Sequence, residues 1–289
     1  MKILLEAPIM SMSGYGEHSR LVYEALEKTP HDIYISPLNW GATSWDMNTI
    51  PLSAHACIEK FGEYMSMCNR MKREMSFDIQ VHVGLPNEFE KRAPYSVCVT
   101  AGIETDRVSP RWLMKTQREI DKIIVPSNHA KQGFETTGYS FMDLKEGGQG
   151  NEENIIKCGA PVSVIPYPVK LLEPVPIDLD LKTSFNFLSV ALLGPRKNIE
   201  SSIVWFIREF RDNEDVGFVI KTGISKTSLI DRRKTEKYLK GIAAACGEHK
   251  CKIYFIHGNM TEEEIHSLYK HPKIKAYATA THGEGYGLP

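Results

Sequence analysis

Residues 185–210 read "FNFLSVALLGPRKNIESSIVWFIREF". An apolar, β-branched run of strand length is stopped by Gly194 and Pro195. Two cations and Asn198 follow, and then a segment with an apolar interior at helical spacing, in which Trp205 is expected to be buried. This is a strand, a turn and a helix, and the pattern repeats. "VGFVIKTG" (216–223) reads as a strand, "LIDRRKTEKYLKGIAAACG" (229–247) as a helix and "CKIYFIHG" (251–258) as a strand. "TEEEIHSLYKHP" (261–272) opens with Thr261 and Glu264 at capping-box spacing, and "IKAYATA" (274–280) is a final strand. The second half is therefore a βαβαβαβ unit.

The first half follows the same rule. Strands are expected at "KILLEAP" (2–8), "HDIYISPL" (31–38), "FDIQVHVG" (77–84), "YSVCVTAG" (95–102), "KIIVPS" (122–127) and "SVIPYP" (163–168). Helices are expected at 18–28, 53–73, 110–120 and 128–138. Strands alternating with helices predict an α/β fold, with parallel sheets covered by helices on both faces. The polar, glycine-rich "SFMDLKEGGQGNEEN" (140–154) reads as a surface loop, and "KLLEPVPIDLDLKTSF" (170–185), stiffened by proline, as a linker. The expected division is an N-terminal Rossmann-like domain at 1–172, a linker at 173–184 and a second, partial Rossmann-like domain at 185–289.

Composition excludes several classes. With 35 basic and 36 acidic side chains the net charge is −1, so no nucleic-acid partner is expected. "DRRKTEKYLK" (231–240) reads as the solvated face of a helix. The six cysteines make no CxxC pair and no zinc-finger spacing, which predicts reduced thiols, no metal and a cytoplasmic protein. No run approaches membrane-spanning length, and "MKILLEAPIM" begins directly with a strand rather than a signal peptide.

Three turns lie at the carboxyl ends of expected strands, where open α/β sheets bind ligands. In "MSGYGEHSRLVYEAL" (12–26), Gly14 and Gly16 would let backbone approach a ligand at a helix N-terminus, though a plain strand–helix turn reads equally well. In "LLGPRKNIESSIVWF" (192–206), Arg196 and Lys197 are placed to clamp a diphosphate, and Lys221 would add a third cation. Each of these cations alone reads as well as a solvated charge. In "THGEGYGLP" (281–289), Glu284 suits sugar hydroxyls, while the amides of Gly285, Tyr286 and Gly287 suit anionic groups; His282 would lie beside them or pack the turn. Together the turns point to a nucleoside diphosphate carrying a polyhydroxylated group.

The ordered set "SGYGEHSRLVYEAL", "AGIETDRVSPRWLMKTQREIDKIIVPSNHAKQGF", "FNFLSVALLGPRKNIESSIVWFIREF", "FVIKTG" and "EEEIHSLYKHPKIKAYATATHGEGYGLP" resembles a family-four, GT-B glycosyltransferase over nearly the whole chain. The resemblance implies two Rossmann-like domains facing across a cleft, with a nucleotide-sugar donor, a UDP- or GDP-sugar, held mainly by the second. It implies retaining transfer to a carbohydrate or other hydroxyl acceptor, without a metal or further cofactor. By position it places Arg196 and Lys197 on the donor pyrophosphate and makes Glu284 the first acid of an E-x7-E signature. The second acid would fall beyond Pro289, so the resemblance implies a chain cut within the donor domain. Impaired transfer by this fragment is then expected, or a dimer or companion subunit completing it.

One departure concerns the turn "TAGIETDR" (100–107). Many relatives carry a histidine there, whereas this chain offers Glu104, with Thr105 and Asp106. Glu104 is a candidate for holding the sugar or the acceptor hydroxyl; alternatively Glu104 and Asp106 cap the helix near Pro110. His18 and His82 read as satisfied structural histidines, and Trp40 and Trp45 as loop aromatics that would suit an acceptor sugar. Two other functions fit the sequence. One is a non-catalytic sugar- or nucleotide-binding fragment or split subunit. The other is a nucleotide-sugar epimerase of the same fold.

Overall fold

A computed structural model describes residues 1–41, 43–101, 103–140, 155–225 and 227–283. Among them the chain forms two compact units, Met1–Pro168 and a second running from Val169 to Gly283. The first is built on β1 (Lys2–Ala7), α1 (Gly14–Glu27), β2 (Asp32–Pro37), α2 (Leu52–Met71), β3 (Ile79–Val83) and β4 (Tyr95–Val99). It continues with α3 (Pro110–Arg118), β5 (Lys122–Val125), α4 (Asn128–Thr136), a small hairpin of β6 (Tyr139–Ser140) and β7 (Ile155–Ile156), and β8 (Val162–Val164). Strand order is β2-β1-β3-β4-β5-β8, every pair parallel. The expected loop at 140–154 lies, apart from Ser140, outside the described residues.

Alternation along β1 decides what each sheet face carries. Ile3, Leu5 and Ala7 pack with Tyr23 of α1 and Ala54 of α2, while Leu4 joins Tyr34, Phe61 and Phe77 on the other side. Glu6 shares the Leu4 face. The helices start where short polar side chains cap them: Ser13 for α1, Ser109 for α3 and Ser127 for α4. The Ser109 cap excludes the alternative in which Glu104 or Asp106 caps α3.

The second unit comprises β9 (Phe185–Val190), α5 (Ile199–Phe210), β10 (Val216–Lys221), α6 (Leu229–Ala245), β11 (Lys252–Ile256), α7 (Glu262–Lys270) and β12 (Ile274–Tyr277). Its sheet is parallel, in the order β11-β10-β9-β12. Ile203, Phe206 and Ile207 of α5 bury against Phe218 and Ile220 and against Leu239 and Ile242 of α6. The capping box opens α7, with Glu264 accepting from the Thr261 amide at 2.8 Å and Thr261 from the Glu264 amide at 3.2 Å. Residues 173–184 carry no helix or strand, yet they pack on this unit. Leu181 is buried with Leu188, Val219 and Leu268, and the Val175 amide donates to Ser267 at 2.7 Å.

Trp205 corrects one expectation. It is 64% exposed, because it stands two residues from both Ile203 and Ile207 and so on the opposite side of the helix from that stripe, where the Arg208 guanidinium lies 4.9 Å from its ring centroid. The cations of α6 behave as the sequence predicts, with Arg232, Arg233 and Lys234 exposed.

Candidate functional site

In each parallel sheet the chain reverses its direction of strand addition once, and the crevice at the carboxyl ends of the two flanking strands is a natural ligand site. The second sheet reverses between β9 and β12. The turn after β9 is a short 3-10 turn, Pro195–Lys197, closed by Asn198 in the left-handed region at φ 50°. The loop after β12 folds onto it. The His282 amide donates to the Arg196 carbonyl at 2.9 Å and the Thr281 hydroxyl to the same oxygen at 3.2 Å. The Arg196 guanidinium donates to the Gly283 carbonyl. Two segments distant in sequence therefore form one rim, with Arg196 and His282 exposed and Lys197 half-buried. Glu284, Gly285, Tyr286 and Gly287 lie outside the described residues.

Lys221 ends β10, beside β9, with its backbone carbonyl accepting from Ala191 at 3.1 Å. Partial burial lowers its ammonium below the usual lysine range. An anion bound nearby would restore that charge.

The loop after Lys221 is braced by a pair that the sequence reading missed. Asp231, buried in the first turn of α6, accepts from the amides of Ile224 at 3.1 Å and Ser225 at 3.0 Å and from the Thr235 hydroxyl at 3.2 Å. Its Oδ1 also pairs with His257 Nε2 at 2.8 Å, just past β11. Gly223 packs closely here: a Cβ would come within 3.2–3.3 Å of Asp231 and His257. Asp231 had been grouped with the solvated charges that follow it; the available signal was Ser228, three residues earlier, which caps α6 and turns Asp231 inward.

The first sheet reverses between β1 and β3. Glu6 and His82 are register partners across these strands. Gln80, two residues before His82, donates to Glu6 and to the Glu90 carbonyl at 2.7 Å, and accepts from the Arg92 amide at 2.7 Å. Arg92 reaches Glu6 at 3.2 Å. Burial raises the Glu6 pKa, opposed by the Arg92 charge and the Gln80 hydrogen bond. His82 corrects the reading of a satisfied histidine. It is buried, neither ring nitrogen has a hydrogen-bond partner of good geometry, and burial holds its pKa down to about 4, against a slight upward pull from the Leu85 backbone.

Around this point the loops expected to meet an acceptor do come together. Tyr15, in the first turn of α1, lies 3.1 Å by its hydroxyl from Thr100 Oγ1, accepts from the Ala101 amide at 3.0 Å, and stacks on Trp40 at 4.1 Å between centroids. Its burial pushes the phenol up to about 12. Trp45 bridges to Ser11, whose hydroxyl lies 2.6 Å from that of Thr43. Gly14 and Gly16 fall inside α1, and Gly16 has a packing reason: a Cβ would lie 1.8 Å from the Ser11 carbonyl oxygen. His18 is buried edge-on against Tyr167 at 4.8 Å, its pKa lowered by burial to about 4. Glu104, Thr105 and Asp106 are exposed.

Two parallel sheets with helices on their faces and a loop-built rim at each switch point define an α/β protein of two Rossmann-like units. The solved structures it resembles are GT-B glycosyltransferases. OtsA in its apo form aligns with 98% of this chain and 79% of its own, at TM-score 0.53 and 9% identity. The lipopolysaccharide outer core galactosyltransferase WaaB, also apo, aligns with 100% of this chain and 76% of its own, at TM-score 0.49 and 13% identity. No family model and no curated protein matches the sequence. Among the described residues no helix is long and apolar enough to cross a membrane.

Proposed function

We propose that the chain is a glycosyltransferase of the retaining, family-four kind, moving a sugar from a nucleoside diphosphate to a hydroxyl acceptor without a metal. The observation that carries this reading is the joined rim of the second unit, where the Arg196 turn and the 281–283 loop are tied at the switch point. The likeness to OtsA supports the fold that such a rim requires.

In this reading Arg196 and Lys197 grip the diphosphate, and Lys221, on the next strand, adds charge from a partly desolvated position. As the sugar C1–oxygen bond breaks, negative charge grows on the departing phosphate; fixed cations stabilise that state more than the bound donor. The acceptor hydroxyl oxygen forms the new bond to C1, and its proton passes to the departing phosphate oxygen. Glu104 and the Tyr15–Thr100 cluster of the first unit hold the acceptor or the sugar. Six free cysteines fit a reducing, cytoplasmic compartment.

The test is calorimetric titration with UDP and GDP, paired with mass analysis of products from UDP- and GDP-hexoses. Nucleotide binding with a transferred or hydrolysed sugar supports the reading. Binding without any turnover leaves a non-catalytic binder, an isomerised donor indicates an epimerase, and absence of nucleotide binding removes the proposal.

A further inference from the structure

Below the Trp40 loop the first unit holds a cavity of about 260 Å³, lined among others by Glu6, His82, Glu88, Glu90, Arg92 and Trp40. Its floor is polar at a place where the sheet is otherwise apolar. Glu6 is 4% exposed and His82 2% exposed. A buried polar group is normally hydrogen-bonded, and leaving one unsatisfied costs about 1–3 kcal/mol. Both ring nitrogens of His82 lack a hydrogen-bond partner of good geometry. The chain also makes room for the ring: a Cβ on Gly84 would lie 2.7 Å from His82 Nε2. Phe89, 5.5 Å away and edge-on, fixes the ring's orientation. An oriented, unpaired imidazole on a cavity wall is a group kept for a ligand.

The lining selects the ligand. Three carboxylates against one guanidinium disfavour a phosphate, whereas hydroxyl groups can donate to carboxylates and both donate to and accept from a neutral imidazole. Trp40, packed at a tilt of 33° against Tyr15 with centroids 4.1 Å apart, offers an aromatic wall for an apolar ring face. We infer that this cavity is a subsite for a neutral, unphosphorylated polyol, with His82 and Glu6 recognising its hydroxyls. It rests on the sugar-transfer reading for its purpose, as the place where an uncharged sugar acceptor docks; its chemistry stands on the cavity alone.

The test titrates the full chain, labelled with 15N, against methyl glucoside, methyl galactoside and methyl mannoside, with glucose 6-phosphate as the charged control. The expected result is that at least one neutral glycoside shifts the His82 ring nitrogens and the Trp40 indole signal, and that the phosphate does not. His82→Phe, which keeps the shape and removes the nitrogens, should weaken that binding about tenfold or more. Glu88→Lys, at the exposed mouth, should weaken it similarly with an unchanged melting temperature, which separates recognition from folding. The inference is overturned if no glycoside moves His82 and Trp40, if glucose 6-phosphate binds as well as the neutral glycosides, or if both variants bind like the parent. A parallel titration with UDP and GDP keeps the two proposals apart. Nucleotide binding without a glycoside response removes only the subsite; a glycoside response without nucleotide binding removes only the transfer reading.

Discussion

At the switch point of the first sheet, Glu6 and His82 stand side by side on β1 and β3 beneath an aromatic pair. At that of the second, Arg196 and Lys197 follow β9 and are tied to the loop that follows β12. The topology is the same and the chemistry differs. The first rim offers carboxylates, a neutral imidazole and tryptophan; the second offers cations. The folding rule fixes where a ligand sits, and the side chains at that place select its charge. The supports differ too: Gln80 satisfies Glu6 within the first sheet, while Asp231 satisfies two amides, a hydroxyl and an imidazole in the second.

The largest expected effect strikes that second support. Asp231→Ala leaves the buried His257 ring and two loop amides without their acceptor and should cost about 3–5 kcal/mol. Urea unfolding followed by signals of the second unit measures it. A loss below about 1 kcal/mol would mean that the 222–225 loop holds itself, and that the two rims are braced alike.

Next comes the charge contrast. Replacing Arg196 and Lys197 together by alanine should reduce UDP or GDP affinity by about 10–150-fold for each charge-assisted hydrogen bond lost, at roughly 1.5–3 kcal/mol apiece. In an active form, Lys197→Ala alone should lower turnover about tenfold or more. Calorimetry and initial rates read both, and neutral-glycoside binding to the first unit should not move. If nucleotide affinity is unchanged, the cationic half of the contrast is lost.

Acid separates the units further. His82 and His18 have pKa values held by burial at about 4 against an ordinary 6.5. The unfolded chain therefore binds more protons between those values. Stability from each is complete above about pH 6.5 and is lost as the pH falls toward 4, amounting to about 2 kcal/mol per histidine between about pH 7 and pH 5. The first unit should soften in this window, and His82→Phe should flatten its share of the slope. An unfolding free energy of the first unit that is level from pH 7 to 5 would show these imidazoles to be solvated.

Strand–helix alternation was legible because periodicity encodes it, and elements such as β9, β10 and the capped α7 fall within a few residues of their expected places. The joining of the Arg196 turn to the 281–283 loop was legible only as a shared position at strand ends; the hydrogen bonds between them depend on strand order, which periodicity does not carry. Asp231–His257 and Glu6–Gln80–His82 went unread for a related reason. Each is a polar set assembled from separate elements, and the trace it leaves is a charged or amide residue at an inward position of an apolar run. Trp205 failed in the opposite sense. Hydrophobicity alone assigned it to the core, whereas its angular position on α5, set by Ile203 and Ile207, faces it outward.

The smallest expected effect contrasts the tryptophans of the two units. Trp40 is fixed on Tyr15, whose hydroxyl lies beside Thr100 and accepts from Ala101, so Trp40→Ala removes one wall of the first rim and should cost about 1 kcal/mol. Trp205 touches Arg208 in solvent, where such a contact is worth about 0.5–1 kcal/mol at most. Trp205→Ala should therefore shift stability by about 0.5 kcal/mol and leave both glycoside and nucleotide binding intact. A larger loss would mean that the outer face of α5 is covered in the working protein. The tryptophan of the second unit would then mark a contact surface, and only the first unit would use this side chain to hold a ligand.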